Sequence, residues 1–342
     1  MTVLSILGKI EPICISKKLK LYIANLPDSP DNDRQSELVY EMKKGFTLKE
    51  MDNHHLGIES TTRFKIASLA KYQGTINTDS ELSSCLRTIA SELIYMYFDY
   101  EYDDMPLGGF DTNPFDGRFC EKDYAEKILH FMHFAVDGIE SENMIDIPQC
   151  AYTSNYDMFE DYRFIFSYSR DVGNAIESFK AFGDLLDNCL ENKNDYFMLD
   201  YLCNSLYQVQ HDDCSTHQFM KLYSLSQLFL EKETESELDW KLPMFLDTHY
   251  TADQKPQKAI LLRKIRNKIA HGDYVKYESV IEEYAQVILG EDYDFDYSEY
   301  SRENWVLLNA CVSLQSALQR MIALWLQDKK RLAAIKNKKQ SD

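Results

Sequence analysis

The sequence predicts a mainly α-helical protein: a C-terminal helical bundle over residues 170–335, preceded by a smaller N-terminal region, 1–160, of mixed α/β or helical character. Three observations predict it. The 342 residues include only 12 glycines and 8 prolines, well below the ~7% and ~5% of ordinary chains, which disfavours a turn-rich β protein and favours long helices. Runs of β type are short and confined to the N-terminal region. From about residue 171 onward, the segments between polar connectors all carry helical period. The length allows about two domains at roughly 150 residues each. With 44% hydrophobic and 13% aromatic residues, the chain can bury a real core and is not of the disordered class.

Taken in order, Ile13-Cys14-Ile15 and Leu19 to Ile23 read as short strands, closed by the turn Leu26-Pro27-Asp28-Ser29-Pro30. Residues 34–44 read as a helix. Ser80 to Phe98 reads as another, with apolar residues at 82, 86, 89, 93 and 97. The stretch 99–117, dense in Asp, Gly, Pro and Tyr, is a linker, and Glu121 to Val136 is an amphipathic helix with Ile128, Leu129, Met132 and Val136 on one side. The alternation in Tyr162 to Phe166 fits a strand or the lead into the next helix. The composition changes near 155–170, and bundle helices are expected at 172–190, 195–210, 216–232, 256–271, 276–289 and 303–335. The acidic, aromatic segment 291–300 lacks any period and reads as an exposed loop.

Charge narrows the class of function. Lys and Arg number 37 against 56 Asp and Glu, a net −19, which opposes indiscriminate binding to nucleic acid or to an anionic membrane. The longest apolar run, Met321 to Leu326, is far short of the ~20 residues of a membrane span, and the N-terminus lacks the pattern of a secretion signal. The eight cysteines, at 14, 85, 120, 150, 189, 203, 214 and 311, are spaced too widely for zinc knuckles and read as reduced thiols. A soluble cytoplasmic protein without a membrane partner is expected.

One segment reverses the overall charge. Between Asp253 and Asp273 there is no acidic residue, while Lys255, Lys258, Arg263, Lys264, Arg266 and Lys268 supply six positive charges. At 100° per residue, Arg263, Arg266, Asn267, Ala270 and His271 fall at i, i+3, i+4, i+7 and i+8, the spacing that ordinarily marks a buried apolar stripe. Here the stripe is polar. Leu261, Leu262, Ile265 and Ile269 lie opposite, so the core is expected to anchor the helix and present Arg, Arg, Asn and His outward. Gly272 is expected to end the helix, because a residue just past the last turn often needs φ > 0. A second basic run of six, Lys329 to Lys339, reads as a solvated helix end or an extension of the same basic track.

The string Arg263-Lys264-Ile265-Arg266-Asn267-Lys268-Ile269-Ala270-His271-Gly272 resembles the signature of HEPN domains: an Arg followed by a polar residue, then a His after four to six residues in all. Arg266, Asn267 and His271 match it. The resemblance covers roughly 170–335 and is closest to the ApeA-like HEPN domains of phage-defence proteins. It implies a helical bundle and a metal-independent endoribonuclease, acting as a homodimer in which the Arg and His of two protomers meet, within an antiphage defence or toxin system. No metal or other cofactor is expected. The catalytic set it implies is Arg266, Asn267 and His271, with Arg263, Lys264 and Lys268 as RNA-binding residues. A histidine imidazole ordinarily titrates near 6.5 and is suited to act as general base or acid at the 2′-OH. A guanidinium is a permanently charged planar fork suited to phosphorane oxygens. Asn267 is expected to orient the imidazole or hold the RNA backbone. In related toxins the motif continues His-x-Tyr, the tyrosine being an AMP acceptor. Here Tyr274 lies one residue further on, in His271-Gly272-Asp273-Tyr274, and that regulation is not carried over. Asp273 is instead positioned to pair with the basic stripe.

The N-terminal region is expected to sense, recruit or restrain, with a protein trigger or inhibitor as the partner. Two other readings follow from the same residues: a non-catalytic HEPN module that binds RNA, a nucleotide or a protein, and a bundle that serves dimerisation alone. His54-His55 and His130-x-x-His133 are the other close histidine pairs, without a third ligand at fitting spacing. Phosphate loops and nucleophile elbows are absent from the sequence.

Overall fold

A computed structural model describes residues 2–25, 46–51, 55–60, 78–99, 124–139, 147–153, 172–211, 215–290 and 299–339, with helical positions at 36, 39, 40 and 43. The described residues are mostly helical, with a small antiparallel sheet. They form two compact units: residues 1–133 with 141–200, and residues 134–140 with 201–342.

The first unit is built on the strands β1 (Thr2–Leu7), β2 (Ile13–Ser16), β3 (Leu21–Asn25), β6 (Leu93–Phe98) and β7 (Cys150–Thr153), in the order β2-β3-β6-β1-β7. β6 lies between β3 and β1 and is antiparallel to both, pairing Leu21 with Phe98 and Val3 with Tyr95. Helix α1 (Asp79–Glu92) opens with a capping box, Thr78 and Glu81 each receiving the other's backbone N–H. The helical spacing at 82, 86 and 89 holds, because all three residues are buried. The expectation of one helix through Phe98 does not. Leu93 turns to extended backbone, and the aromatic and β-branched run Leu93-Ile94-Tyr95-Met96-Tyr97-Phe98 becomes a strand. Pairing on both edges outweighs helical period there. Asn25 ties this corner together, since its amide donates to the carbonyls of Gly8 (2.7 Å) and Leu93 (3.0 Å) and accepts from the Ile10 N–H.

Helix α2 (Tyr124–Val136) forms where the amphipathic pattern predicts, and helix α3 (Val172–Cys189) packs on β2. Thus α3, which the periodicity groups with the C-terminal helices, belongs to the sheet. At Gly183 an ideal Cβ would come within 1.7 Å of the Ile15 carbonyl oxygen, so only glycine permits this approach. Asp187, one turn on, accepts from Ser16 Oγ and from the N–H groups of Lys17 and Lys18. A separate hairpin, β4 (Phe46–Met51) with β5 (His55–Ser60), pairs Phe46 with Ser60 through Met51 with His55, and the sequence reading did not anticipate it. The expected linker at 100–117, the stretch 162–166, the loop at 291–298 and most of the helix at 34–44 lie outside the described residues. So does the composition change at 155–170.

Helix α4 (Lys193–His211) gives its first eight residues to the first unit and the rest to the second. The second unit continues with α5 (Thr216–Leu230), the short α6 (Leu238–Lys241), α7 (Gln254–His271), α8 (Tyr274–Tyr284), α9 (Glu299–Gln327) and α10 (Lys329–Asn337). α9 packs along α5, and α7 is held between α6 and α8. The single helix expected over 303–335 is broken at Asp328, whose carboxylate caps α10 by accepting from the Arg331 N–H. α10 is fixed by two lysines. Lys336 Nζ donates to the Leu228 carbonyl, and the buried Lys241 Nζ donates to the carbonyls of Leu230 and Lys336 and to Glu237. Lys336 therefore points into the protein and does not belong to an exposed basic track.

Candidate functional site

Helix α7 begins with a reciprocal pair, Thr251 N–H to Gln254 Oε1 and Gln254 N–H to Thr251 Oγ1, which satisfies donors that a helix start leaves open. It ends at Gly272, which takes φ 64° and ψ 26°, while the Gly272 N–H reaches the Ile269 carbonyl and the Asp273 N–H reaches that of Lys268. These bonds make a Schellman closure, which requires the left-handed residue the sequence supplies. An ideal Cβ on Gly272 would meet nothing within 4 Å, so the end of the helix is open. His271 stands exposed on the last turn.

The anchoring face is as expected in part: Leu261, Leu262 and Ile265 are buried, while Ile269 is half-buried. The polar stripe is less outward than its spacing suggests. Arg263, Arg266, Asn267 and Lys268 are half-buried. Arg266 Nη1 donates to Asn267 Oδ1 at 2.9 Å, so the amide holds the guanidinium and not the imidazole, correcting the first of the two roles expected of it. Ion pairs take up the three side chains expected to bind RNA. Arg263 makes a bidentate contact with Asp239 of α6, Nε to Oδ1 at 2.9 Å and Nη2 to Oδ2 at 2.9 Å. Lys264 Nζ donates to both oxygens of Glu283 of α8, at 2.8 and 2.9 Å. Lys268 lies 3.7 Å from Asp273, whose other cation is Lys276 at 3.2 Å. The Lys276 hydrogen bond, ahead of opposing burial, holds the Asp273 carboxyl below its ordinary range.

Two more of the six cations of α7 face inward. Lys255 Nζ donates to the Leu246 carbonyl. Lys258 is fully buried and donates to Tyr250 OH (2.5 Å) and Asn309 Oδ1 (2.8 Å), with its ammonium 3.9 Å from the Tyr250 ring centroid and 5.6 Å from that of Tyr284. Tyr284 OH also donates to Asn309 Oδ1 at 2.8 Å. Burial pushes the Lys258 ammonium down to about 7, with the more distant Asp247 opposing, and burial lifts the Tyr284 hydroxyl well above its ordinary range. The sequence holds a signal for Lys258, which stands three, four and seven residues before Leu261, Leu262 and Ile265 and so lies on the apolar face. Asp239 and Glu283, far away in the chain, leave no such signal.

Comparison with family models, curated proteins and solved structures gives no match. Among the described residues, no three His, Cys, Asp or Glu side chains gather as metal ligands, and His130 and His133 instead contact Glu126 (3.6 Å) and Gln149 (3.3 Å). Six described cysteines are free thiols, four of them buried. No described helix is long and apolar enough to cross a membrane. What α7 offers chemically is a guanidinium steadied by an amide, followed one turn later by an exposed imidazole at an open helix end.

Proposed function

We propose that the second unit is a HEPN-type, metal-independent endoribonuclease and that the chain is an effector of antiphage defence or of a toxin system. The observation that carries the reading is the arrangement of Arg266, Asn267 and His271 on one helix: a guanidinium fixed by its neighbour, and a solvent-facing imidazole on the last turn before Gly272. In the proposed reaction His271 takes the 2′-OH proton or protonates the departing 5′-oxygen, while Arg266 stabilises charge on the phosphorane as the 2′-oxygen attacks in line. Asn267 positions Arg266. The active form in this reading is a homodimer. A stripe of exposed apolar residues on α9, Trp305, Leu308 and Val312, is the kind of surface a second copy would cover.

Purified His271→Ala and Arg266→Ala should each lose cleavage of tRNA or bulk RNA while keeping the wild-type circular dichroism and the dimer mass in light scattering. Undiminished cleavage by either variant would sink the catalytic assignment. The ion pairing of Arg263, Lys264 and Lys268, which takes up the cations meant for RNA, favours a second reading, a non-catalytic module whose main partner is a protein. It predicts no cleavage products, and binding that survives loss of His271 better than loss of Arg266.

A further inference from the structure

The basic side chains of α7 come with their own anions. Asp239 from α6 grips Arg263 with both oxygens, and the two side chains are 20% and 28% exposed. Glu283 from α8 grips Lys264 in the same two-oxygen fashion, the pair being 45% and 40% exposed. Asp273, at the junction of α7 and α8, stands between Lys268 and Lys276. Three carboxylates from three places in the chain thus meet the three cations that the HEPN resemblance marks for RNA. A phosphate oxygen and a carboxylate oxygen compete for the same N–H groups with similar geometry. A partly buried bidentate Arg–Asp pair gives up its guanidinium less readily than an exposed lysine pair.

We propose that Asp239 and Glu283, with Asp273 beside them, are built-in counter-anions that keep Arg263 and Lys264 from RNA phosphate and so limit the affinity and the range of RNA accepted at the site. The inference rests on the RNA reading of α7 and adds regulation to it. In the resting protein the phosphate attraction comes from fewer cations than the sequence supplies, and a weak, selective encounter replaces a strong, indiscriminate one. Any event that withdraws a carboxylate, such as a partner's cation drawing off Asp239 or Glu283, strengthens RNA binding without moving the backbone of α7.

The test uses the full chain, a fluorescein-labelled single-stranded RNA and anisotropy titrations across a salt series, with Asp239→Asn, Glu283→Gln and the wild type. Each substitution should tighten binding about fivefold at low salt, the scale of one ion pair released. Each should also steepen the slope of log affinity against log salt by about 0.7, the contribution of one additional phosphate contact on a single strand. The slope is the deciding readout, because a purely structural role for either carboxylate lowers the melting temperature and leaves the slope alone. Glu283→Gln, in the more exposed pair, guards against loss of fold in Asp239→Asn. Wild-type RNA binding that neither variant changes overturns the counter-anion role and leaves the RNA reading standing. No RNA binding by any of the three proteins overturns both.

Discussion

Two lysines of the second unit, Lys241 and Lys258, are fully buried and are held in contrasting ways. Lys241 lies 2.6 Å from the carboxylate of Glu237 and donates to the carbonyls of Leu230 and Lys336, near the C-terminal ends of α5 and α10. Those ends carry partial negative charge, so the ammonium meets a full anion and two helix dipoles at once. Burial lifts the Glu237 carboxyl, but the hydrogen bonds from Lys241 and from the N–H groups of Lys232 and Glu233 outweigh it and leave the group below its ordinary range. Both ammoniums face aromatic rings, Lys241 that of Trp240 and Lys258 those of Tyr250 and Tyr284, but Lys258 donates only to neutral oxygens, a phenol and a side-chain amide. Burial without an adjacent carboxylate pushes its ammonium down to about 7. One lysine is a rivet; the other is a charge that the fold accommodates at a cost. Burial alone does not set the role of an ionisable group, whereas the formal charge of its neighbours does.

The contrast can be broken from either side. The largest effect is expected for Lys241→Met, which leaves Glu237 and two helix ends facing an apolar side chain and should cost about 3–5 kcal/mol in urea denaturation. A loss under about 1 kcal/mol would show that the rivet is not one. Lys258→Met should be mild at pH 7, within about 1.5 kcal/mol, since it exchanges a disfavoured charge for a residue of similar volume and Asn309 keeps the Tyr284 hydrogen bond. Its sharper signature is in pH. Between pH 7 and about 10 the unfolded lysine keeps a proton that the folded one releases, so stability rises with pH, with a limiting slope of about 1.4 kcal/mol per pH unit. Above about pH 10 the buried Tyr277 and Tyr284, whose hydroxyls burial raises, act in the opposite sense, because stability present below the unfolded tyrosine value is lost as pH climbs further. Lys258→Met should remove the rise between 7 and 10, and a slope that persists would remove Lys258 as its source. The smallest effect is expected for Asn309→Asp, which sets a carboxylate beside Lys258 and gives it the kind of partner Lys241 has. Thermal melts across that window should show a flatter rise, and an unchanged slope would mean that neighbouring charge does not govern the lysine.

How much was legible in the sequence follows the range of the forces involved. The helices of the second unit could be read, because α7 and α8 carry helical period within their own residues and α7 also carries its own start pair and the left-handed Gly272. The break at Asp328 was missed because the apolar period runs through it, although an Asp three residues before Arg331 is a cap signal. Leu93 to Phe98 carried helical spacing and became a strand because its partners, β1 and β3, lie about seventy to ninety residues away. At the candidate site, Arg266, Asn267 and His271 stand out through the polar stripe together with the resemblance of their string to the HEPN signature. The partners that occupy Arg263 and Lys264 do not, since Asp239 and Glu283 reach α7 only after the chain has folded. Helical phase shows which residues share a face, but it does not show which opposing charges the fold brings to that face.

The Lys241 site also bears on how the bundle is completed. Its third oxygen comes from residue 336, 95 residues downstream, and α10 returns the contact from Lys336 to Leu228 across 108 residues. Until α10 docks, the ends of α5 and α6 therefore hold an incompletely matched ammonium. For a second unit proposed to cut RNA, the packing that carries the active helix is therefore completed by residues about a hundred positions downstream of the lysine they satisfy.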